Sequence, residues 1–358
     1  MITTSRTAPL VLAPKLAAAI WGGNALVKRY GKPGDPTALL GESWECWDDN
    51  AITGGNFAGE TLAAVRAQLG HDLTGPIDPA ERFPVLTKII DAKAALSVQV
   101  HPDDAYAQRV EHQPVGKTEC WYILAAEPGA ELVLGWTRDT NRAEYERRVA
   151  DGTLGEILRR VPVAPGEAYY LPAGTLHAIG AGIQLFETQQ ASDLTYRIFD
   201  WNRVGADGKP RELHVAKAAD VLDFRATMPG AVTPIVFTDG GIERTVAIAD
   251  RRFAVERLRV TQAGAFIATD GRPLALMAME SPLTLKTGGG GTALRPWETA
   301  VVPAAAERVT FSAPGKVLVV RVQPDLGSLR QAAAAAGLAG GVVKSFFGRF
   351  TGASSGLA

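Results

Sequence analysis

At 358 residues with 46% hydrophobic content, the chain is long enough to bury the core of two domains or of one large elaborated one. Its net charge of −1 supplies no basic surplus for nucleic acid or an anionic membrane, and two cysteines, Cys46 and Cys120, are too few for a disulfide framework. No apolar run approaches the roughly 20 residues of a membrane span, and MITTSRTAPL at the start lacks a basic flank leading into an apolar signal core. A cytoplasmic protein is expected, a monomer by default, with neither nucleic acid nor membrane as partner.

In chain order, ETLAAVRAQL (60–69) reads as a first helix. The short β-type runs FPVLTKII, ALSVQVH, ECWYILA and AELVLGW follow. Residues 141–160 read as a helical insert, with capping-box spacing at Asn141/Glu144 and Thr153/Glu156. Three more β-type runs succeed it, EAYYLPA, IQLFETQ and LTYRIFD, and a further β-rich stretch continues from about 229 to 324. Strands this short, punctuated by Pro and Gly, predict a mainly β sandwich or barrel rather than alternating βαβ units. The Ala/Gly/Ser-biased end from 325 reads as a poorly ordered low-complexity tail with room for one helix.

Ser97–Asp104, SVQVHPDD, places Ser97, Gln99 and His101 on one face of a strand and Leu96, Val98 and Val100 on the other. In GKTECWY, Lys117, Glu119 and Trp121 share a face in the same way. Asp103, Asp104 and His112 read as a helix start and a loop histidine. Lys88 sits between apolar neighbours in FPVLTKII, an unusual place for a lysine that does not reach a cavity. Residues 165–173 (PGEAYYLPA) align without gaps with 296–304 (PWETAVVPA), which suggests two copies of one β unit. Five residues past the second proline the first copy has His177 and the second has Arg308, and a cation cannot replace an imidazole as a metal ligand.

Gly166 followed by PAGTLH (172–177) fits the pattern G-x5-P-x-G-x2-H and resembles the second motif of the cupin superfamily, small β jelly rolls that often hold a metal. Gln99-Val-His101 stands where the first cupin motif places its paired ligands, with Glu119 beyond. Two imidazoles, one carboxylate and one amide oxygen suit a borderline divalent ion, with zinc the first guess.

The resemblance narrows further. IWGGNAL (20–26), GESWE (41–45), LSVQVHPDD (96–104), GKTECWY (116–122), LPAGTLHAIG (171–180) and TYRIFDW (195–201), in this order, resemble the class I mannose-6-phosphate isomerases in their shorter bacterial form. The family implies one zinc ion per chain on Gln99, His101, Glu119 and His177. It also implies two cupin-type jelly-roll domains: a catalytic one over 1–228 with the helical insert at about 137–160, and a degenerate, metal-free one over 229–324. The tail is 325–358. The implied reaction is reversible isomerisation of mannose 6-phosphate and fructose 6-phosphate through an enediolate, with a sugar phosphate as the only partner. Arg197, Lys117, Glu187 and Lys88 are the candidate catalytic residues, and Ser97 a candidate substrate contact. CWDD at 46–49 and the tail depart from the family pattern. Two alternatives stand beside this reading: another metal-dependent cupin, such as an oxygenase, and a sugar-binding cupin without activity.

Overall fold

The computed structural model describes residues 6–201, 203–204 and 208–350. The chain is mainly β and divides into two compact units, Leu16–Ser43 with Lys88–Val232, and Met1–Lys15 with Trp44–Thr87 and Thr233–Ala358.

In the first unit a six-stranded sheet runs in the order Lys15–Gly23, Leu40–Cys46, Val85–Ala92, Ile183–Gln190, Glu119–Ala126, Ala168–Leu171. A five-stranded sheet runs Tyr196–Phe199, Val98–Val100, His177–Ile179, Glu131–Trp136, Leu158–Pro162. Period-two alternation sorts their side chains. Ile90, Trp121, Ile123, Tyr169, Leu171 and Leu185 of the one sheet join Leu132, Leu134 and Ile179 of the other in a core between them. The opposite face of the five-stranded sheet (Val98, Val100, Val133, Ala178, Ile198) packs on Tyr145, Leu154, Ile157 and the helix Val215–Val221. One strand thus serves two cores: Val98 and Val100 look out to the helices, and Gln99 looks in.

The insert is a shorter helix than its sequence predicts. Asn141 caps Arg142–Ala150, accepting from the Glu144 N–H at 2.9 Å, whereas Thr153 makes no side-chain cap. Gly152, at φ 70°, ends the first helical stretch; a single 3-10 turn over Leu154–Ile157 follows, and Leu158–Pro162 is a strand. Leu158, Arg159 and Arg160 therefore lie in the sheet, where pairing with Glu131–Trp136 satisfies their backbone.

The second unit has a seven-stranded sheet (Leu10–Leu12, Thr299–Val302, Leu274–Met279, Gly315–Val322, Phe253–Val260, Ile242–Ala249, Ile235–Asp239) and a four-stranded one (Phe266–Ala268, Arg308–Phe311, Leu283–Thr287, Gly290–Leu294) around its own apolar core. Its members are discontinuous in sequence because Leu10–Leu12 pairs with Thr299–Val302, a non-local ladder that a reading in chain order does not reveal. CWDD lies in this unit's stretch Trp44–Thr87. Asp48 ion-pairs with buried Arg66 at 3.1 Å and accepts from the Phe83 N–H. The end of the chain differs most from its expectation. It folds into two helices, Leu326–Ala335 and Gly340–Gly348, with Leu329, Ala333, Val343, Phe346, Phe347 and Phe350 buried; residues 351–358 of the expected tail lie outside the described residues.

Both units use one register. Glu119 pairs with Leu171 and Gln189 in the first, and Leu274 pairs with Val302 and Arg321 in the second. His177 pairs with Gln99 as Val309 pairs with Ile267. The second-unit counterparts of Gln99, Glu119 and His177 are therefore Ile267, Leu274 and Val309, all in the apolar core. The gapless match of 165–173 to 296–304 holds over the strands Ala168–Leu171 and Thr299–Val302. The next turn is one residue longer in the second copy, where a 3-10 turn, Ala304–Ala306, leads into left-handed Glu307 (φ 58°). Arg308 is consequently not the counterpart of His177. It points outward, exposed, its guanidinium 5.1 Å from the centroid of the Phe266 ring. Arg308→Ala is expected to shift the melting temperature by no more than a degree or two, the usual scale for a surface change of about 0.5 kcal/mol, and to leave bound metal and turnover as in the wild type.

Candidate metal and active site

Three strand ends of the first unit converge. His101 follows Val98–Val100, Glu119 opens Glu119–Ala126, and His177 opens His177–Ile179. His101 Nε2 lies 3.4 Å from Glu119 Oε2, and His177 Nε2 lies 3.3 Å from Glu119 Oε1. The three residues are buried and can hold a metal ion, with their ligand atoms within 4.8 Å of one another. The turn before His177 is built for this approach. Gly174, at φ 85°, brings its backbone so close to the Val221 carbonyl that an added Cβ would lie 2.9 Å from that oxygen, and its N–H donates to the His101 carbonyl at 2.9 Å.

The donor set fits a divalent cation. Each imidazole is oriented through its far nitrogen: His101 Nδ1 lies 2.8 Å from the Leu194 carbonyl and His177 Nδ1 2.9 Å from the Thr175 carbonyl. A proton on Nδ1 satisfies these carbonyls and leaves the Nε2 lone pair pointing at Glu119, the arrangement of a metal-ligating histidine. His177 Nε2 and Glu119 Oε1 are buried and lack a hydrogen-bond partner among the described residues. Leaving such atoms bare costs about 1–3 kcal/mol each, a cost that a coordinated ion removes. Gln99 sits opposite His177 in register and on the same inward face. Burial, aided by the Lys117 charge, pushes the His101 imidazole down to about 3, and burial also lowers His177. Burial alone would raise Glu119, but Lys117 and the two histidines outweigh it and hold its carboxyl well below the usual range.

These shifts carry a sign. An imidazole held below its ordinary 6.5 by folding is protonated first in the unfolded chain, so protons favour unfolding as pH falls below about 6.5. Depression of Glu119 adds stability that is present above the ordinary carboxylate pKa and lost as pH drops through its folded value. Both push the same way. Metal-free protein is expected to lose melting temperature steadily from pH 6.5 towards 3, and His101→Ala to show a shallower slope over the upper part of that range.

A second layer of charge lines the cavity. Lys117 Nζ lies 2.6 Å from Glu119 Oε2 and 3.1 Å from His101 Nε2. Lys88, in the all-buried strand Val85–Ala92 inside the sheet, reaches Glu187 Oε1 and Glu42 Oε2, each at 3.4 Å. Burial favours the neutral amine, yet Glu187 and Glu42 hold the Lys88 ammonium above its usual value. Burial, and then Glu119, raise Glu187, whose other oxygen accepts from the Trp121 indole at 2.9 Å. Trp121 also stands edge-on to His177, with centroids 5.3 Å apart.

Arg197 pairs with Gln99 across the ladder, which sets Arg197, Gln99 and His177 in one row. Burial, followed by nearby Arg211, pulls its guanidinium below the ordinary value. Ser97 is buried two residues before Gln99. Asp103 and Asp104 are framework: Asp103 caps the short helix Asp104–Tyr106, and Asp104 accepts from the Gly116 N–H and the Gln190 amide. His112 takes a left-handed turn position at φ 53°. Two neighbours escaped the sequence reading. Glu42 was visible only as part of GESWE, and His214 contacts Arg197 from a segment with no motif of its own.

A jelly roll with a buried His–Glu–His cluster that can hold a metal ion, an in-register Gln and a flanking lysine defines a protein of the cupin class. Comparison with known proteins narrows this class. Residues 10–120 match the family model "Phosphomannose isomerase type I, catalytic domain". A mannose-6-phosphate isomerase of Streptococcus mutans is 38% identical over 258 residues, covering 71% of this chain and 79% of that protein, and one of Bacillus subtilis is 42% identical over 225 residues, covering 61% and 69%. The crystal structure of the Bacillus subtilis mannose 6-phosphate isomerase superposes with a TM-score of 0.81 at 32% identity, covering 88% of this chain and 99% of that one. The chain belongs to the type I mannose-6-phosphate isomerase family.

Proposed function

We propose that this protein interconverts mannose 6-phosphate and fructose 6-phosphate by metal-assisted proton transfer. The observation that carries the proposal is the convergence of His101, Glu119 and His177 on one buried point beside Lys117, with Gln99 and Arg197 in the adjoining row. Gln99, His101, Glu119 and His177 would hold one zinc ion. When bound, a doubly charged ion with one anionic ligand supplies net positive charge to polarise the sugar oxygens. Lys117 and Arg197 add fixed donors where negative charge develops on the enediolate oxygens or rests on the phosphate.

Glu187 is the carboxylate placed to take and return the carbon-bound proton. The Trp121 indole orients it, Lys88 supplies the neighbouring cation, and burial lifts its affinity for a proton towards the working range of a general base. Lys117 is the alternative relay, since it lies beside the metal-binding cluster and carries exchangeable protons. Ser97, on the face of Gln99, contacts the substrate. The domain reading accompanies this one: the cupin unit holding His177 catalyses, and the unit holding Leu274 and Val309 carries no metal. No helix among the described residues is long and apolar enough to cross a membrane. A cytoplasmic location and a small polar substrate belong to the same proposed reading.

The direct test incubates purified, zinc-loaded protein with fructose 6-phosphate and assays for mannose 6-phosphate. Formation of mannose 6-phosphate at a rate proportional to enzyme supports the reading. Its absence from metal-replete, folded protein overturns it and leaves sugar binding without turnover.

A further inference from the structure

The strand Tyr196–Phe199 is the edge of its five-stranded sheet, so Arg197 presents its backbone N–H and C=O outward with no further strand among the described residues to pair with. One residue takes both. His214 donates its own N–H to the Arg197 carbonyl at 2.7 Å, and its ring Nδ1 accepts from the Arg197 N–H at 3.2 Å. The imidazole thus stands where the carbonyl of a neighbouring strand would stand. Two residues earlier, the Glu212 carbonyl accepts from Arg197 Nη1 at 3.0 Å. The segment 212–214 therefore fixes Arg197 at its backbone and at its guanidinium together. The His214 ring is itself packed against Tyr196, centroids 6.1 Å apart.

We infer that His214 is the positioning residue for Arg197: its Nδ1 lone pair and backbone N–H lock the edge strand in the register that aims the guanidinium at the row of Gln99 and His177. The inference rests on the reading above that Arg197 serves the reaction. Accepting through Nδ1 requires the ring to carry its proton on Nε2. Asparagine keeps an acceptor oxygen one bond from Cγ, where Nδ1 sits, and alanine keeps none.

The test combines kinetics with amide exchange in the zinc-loaded enzyme. His214→Ala is expected to lower kcat by about tenfold or more, in line with the cost of misplacing a group that must meet the transition state. His214→Asn is expected to stay within about threefold of the wild type. In an Arg197→Ala background, His214→Ala should add no more than about a twofold loss, because the two act as one unit. Mass-spectrometric exchange of the peptide around Arg197 should accelerate about tenfold or more in His214→Ala and not in His214→Asn. Independent, multiplying losses in the double variant, or unchanged exchange in His214→Ala, would overturn the assignment. A wild-type enzyme with no isomerase activity would instead count against the functional reading, and the exchange result would then decide the positioning role alone.

Discussion

His177→Ala is expected to abolish both metal retention and turnover, and His101→Ala to do the same. Each removes one of the two neutral nitrogen donors facing Glu119. The remaining set, one imidazole with a carboxylate and a weakly donating amide oxygen, keeps only two of the three nitrogen and carboxylate donors that a catalytic zinc site of this type uses. A Lewis-acidic ion contributes several kcal/mol to stabilising transition-state charge, so turnover should fall by about 10³-fold or more. Metal analysis after gel filtration should give one zinc per wild-type chain and well under a tenth of that in either variant. Two zinc ions per wild-type chain would refute the single site, because Ile267, Leu274 and Val309 occupy the corresponding second-unit positions. Full turnover of metal-free enzyme would refute the role assigned to the ion.

Phe347→Ala should destabilise the protein by about 3–5 kcal/mol, the range for truncating a fully buried phenylalanine. Its ring lies edge-on to Phe346 at 5.3 Å and beneath the Arg330 guanidinium at 5.0 Å, and Arg349 ties the helix end to the Thr233 carbonyl. Val342, half exposed immediately before buried Val343 in the same helix, gives the control: Val342→Ala should stay within about 0.5 kcal/mol. A scanning-fluorescence melt of both variants checks the pair. Equal, negligible shifts would show that the final helix does not stabilise the body of its unit.

That helix marks where composition misleads. Counted by residue type, the end of the chain is rich in Ala, Gly and Ser, which reads as disorder. Read by position, Val343, Phe346, Phe347 and Phe350 recur at i, i+3, i+4 and i+7, one apolar stripe of a helix. The alanine run before it has high intrinsic helix propensity, and Asp325 caps its start by accepting from the Gly327 N–H. The period was legible, and composition hid it. The inward face of SVQVH was legible for the opposite reason: alternation over five residues, stopped by a proline, leaves little choice about which side chains share a face.

The partners of that face were less accessible. Lys117 and Glu119 could be placed on one strand face from spacing alone, but the Lys88–Glu187–Trp121 contacts join three strands far apart in sequence. No local pattern encodes such pairing; it follows from sheet order. The same holds for Leu10–Leu12, which joins a ladder with residues nearly three hundred positions later, and for His214, whose role exists only because the Arg197 strand is an edge. The Arg308 alignment failed by one residue for a related reason. A gapless comparison cannot see an added turn residue, and in a strand a slip of one exchanges the inward face for the outward one.

Proton transfer with the enediolate held by metal and cations is the central claim, and isomerisation of fructose 6-phosphate in heavy water tests it most directly. A base such as Glu187 or Lys117 exchanges with solvent before it returns the proton. The account predicts mannose 6-phosphate carrying deuterium at the carbon next to the carbonyl, with no oxygen uptake and no need of nicotinamide. Turnover with complete absence of label would contradict proton transfer through an exchanging base, and oxygen consumption in step with turnover would contradict the isomerase itself.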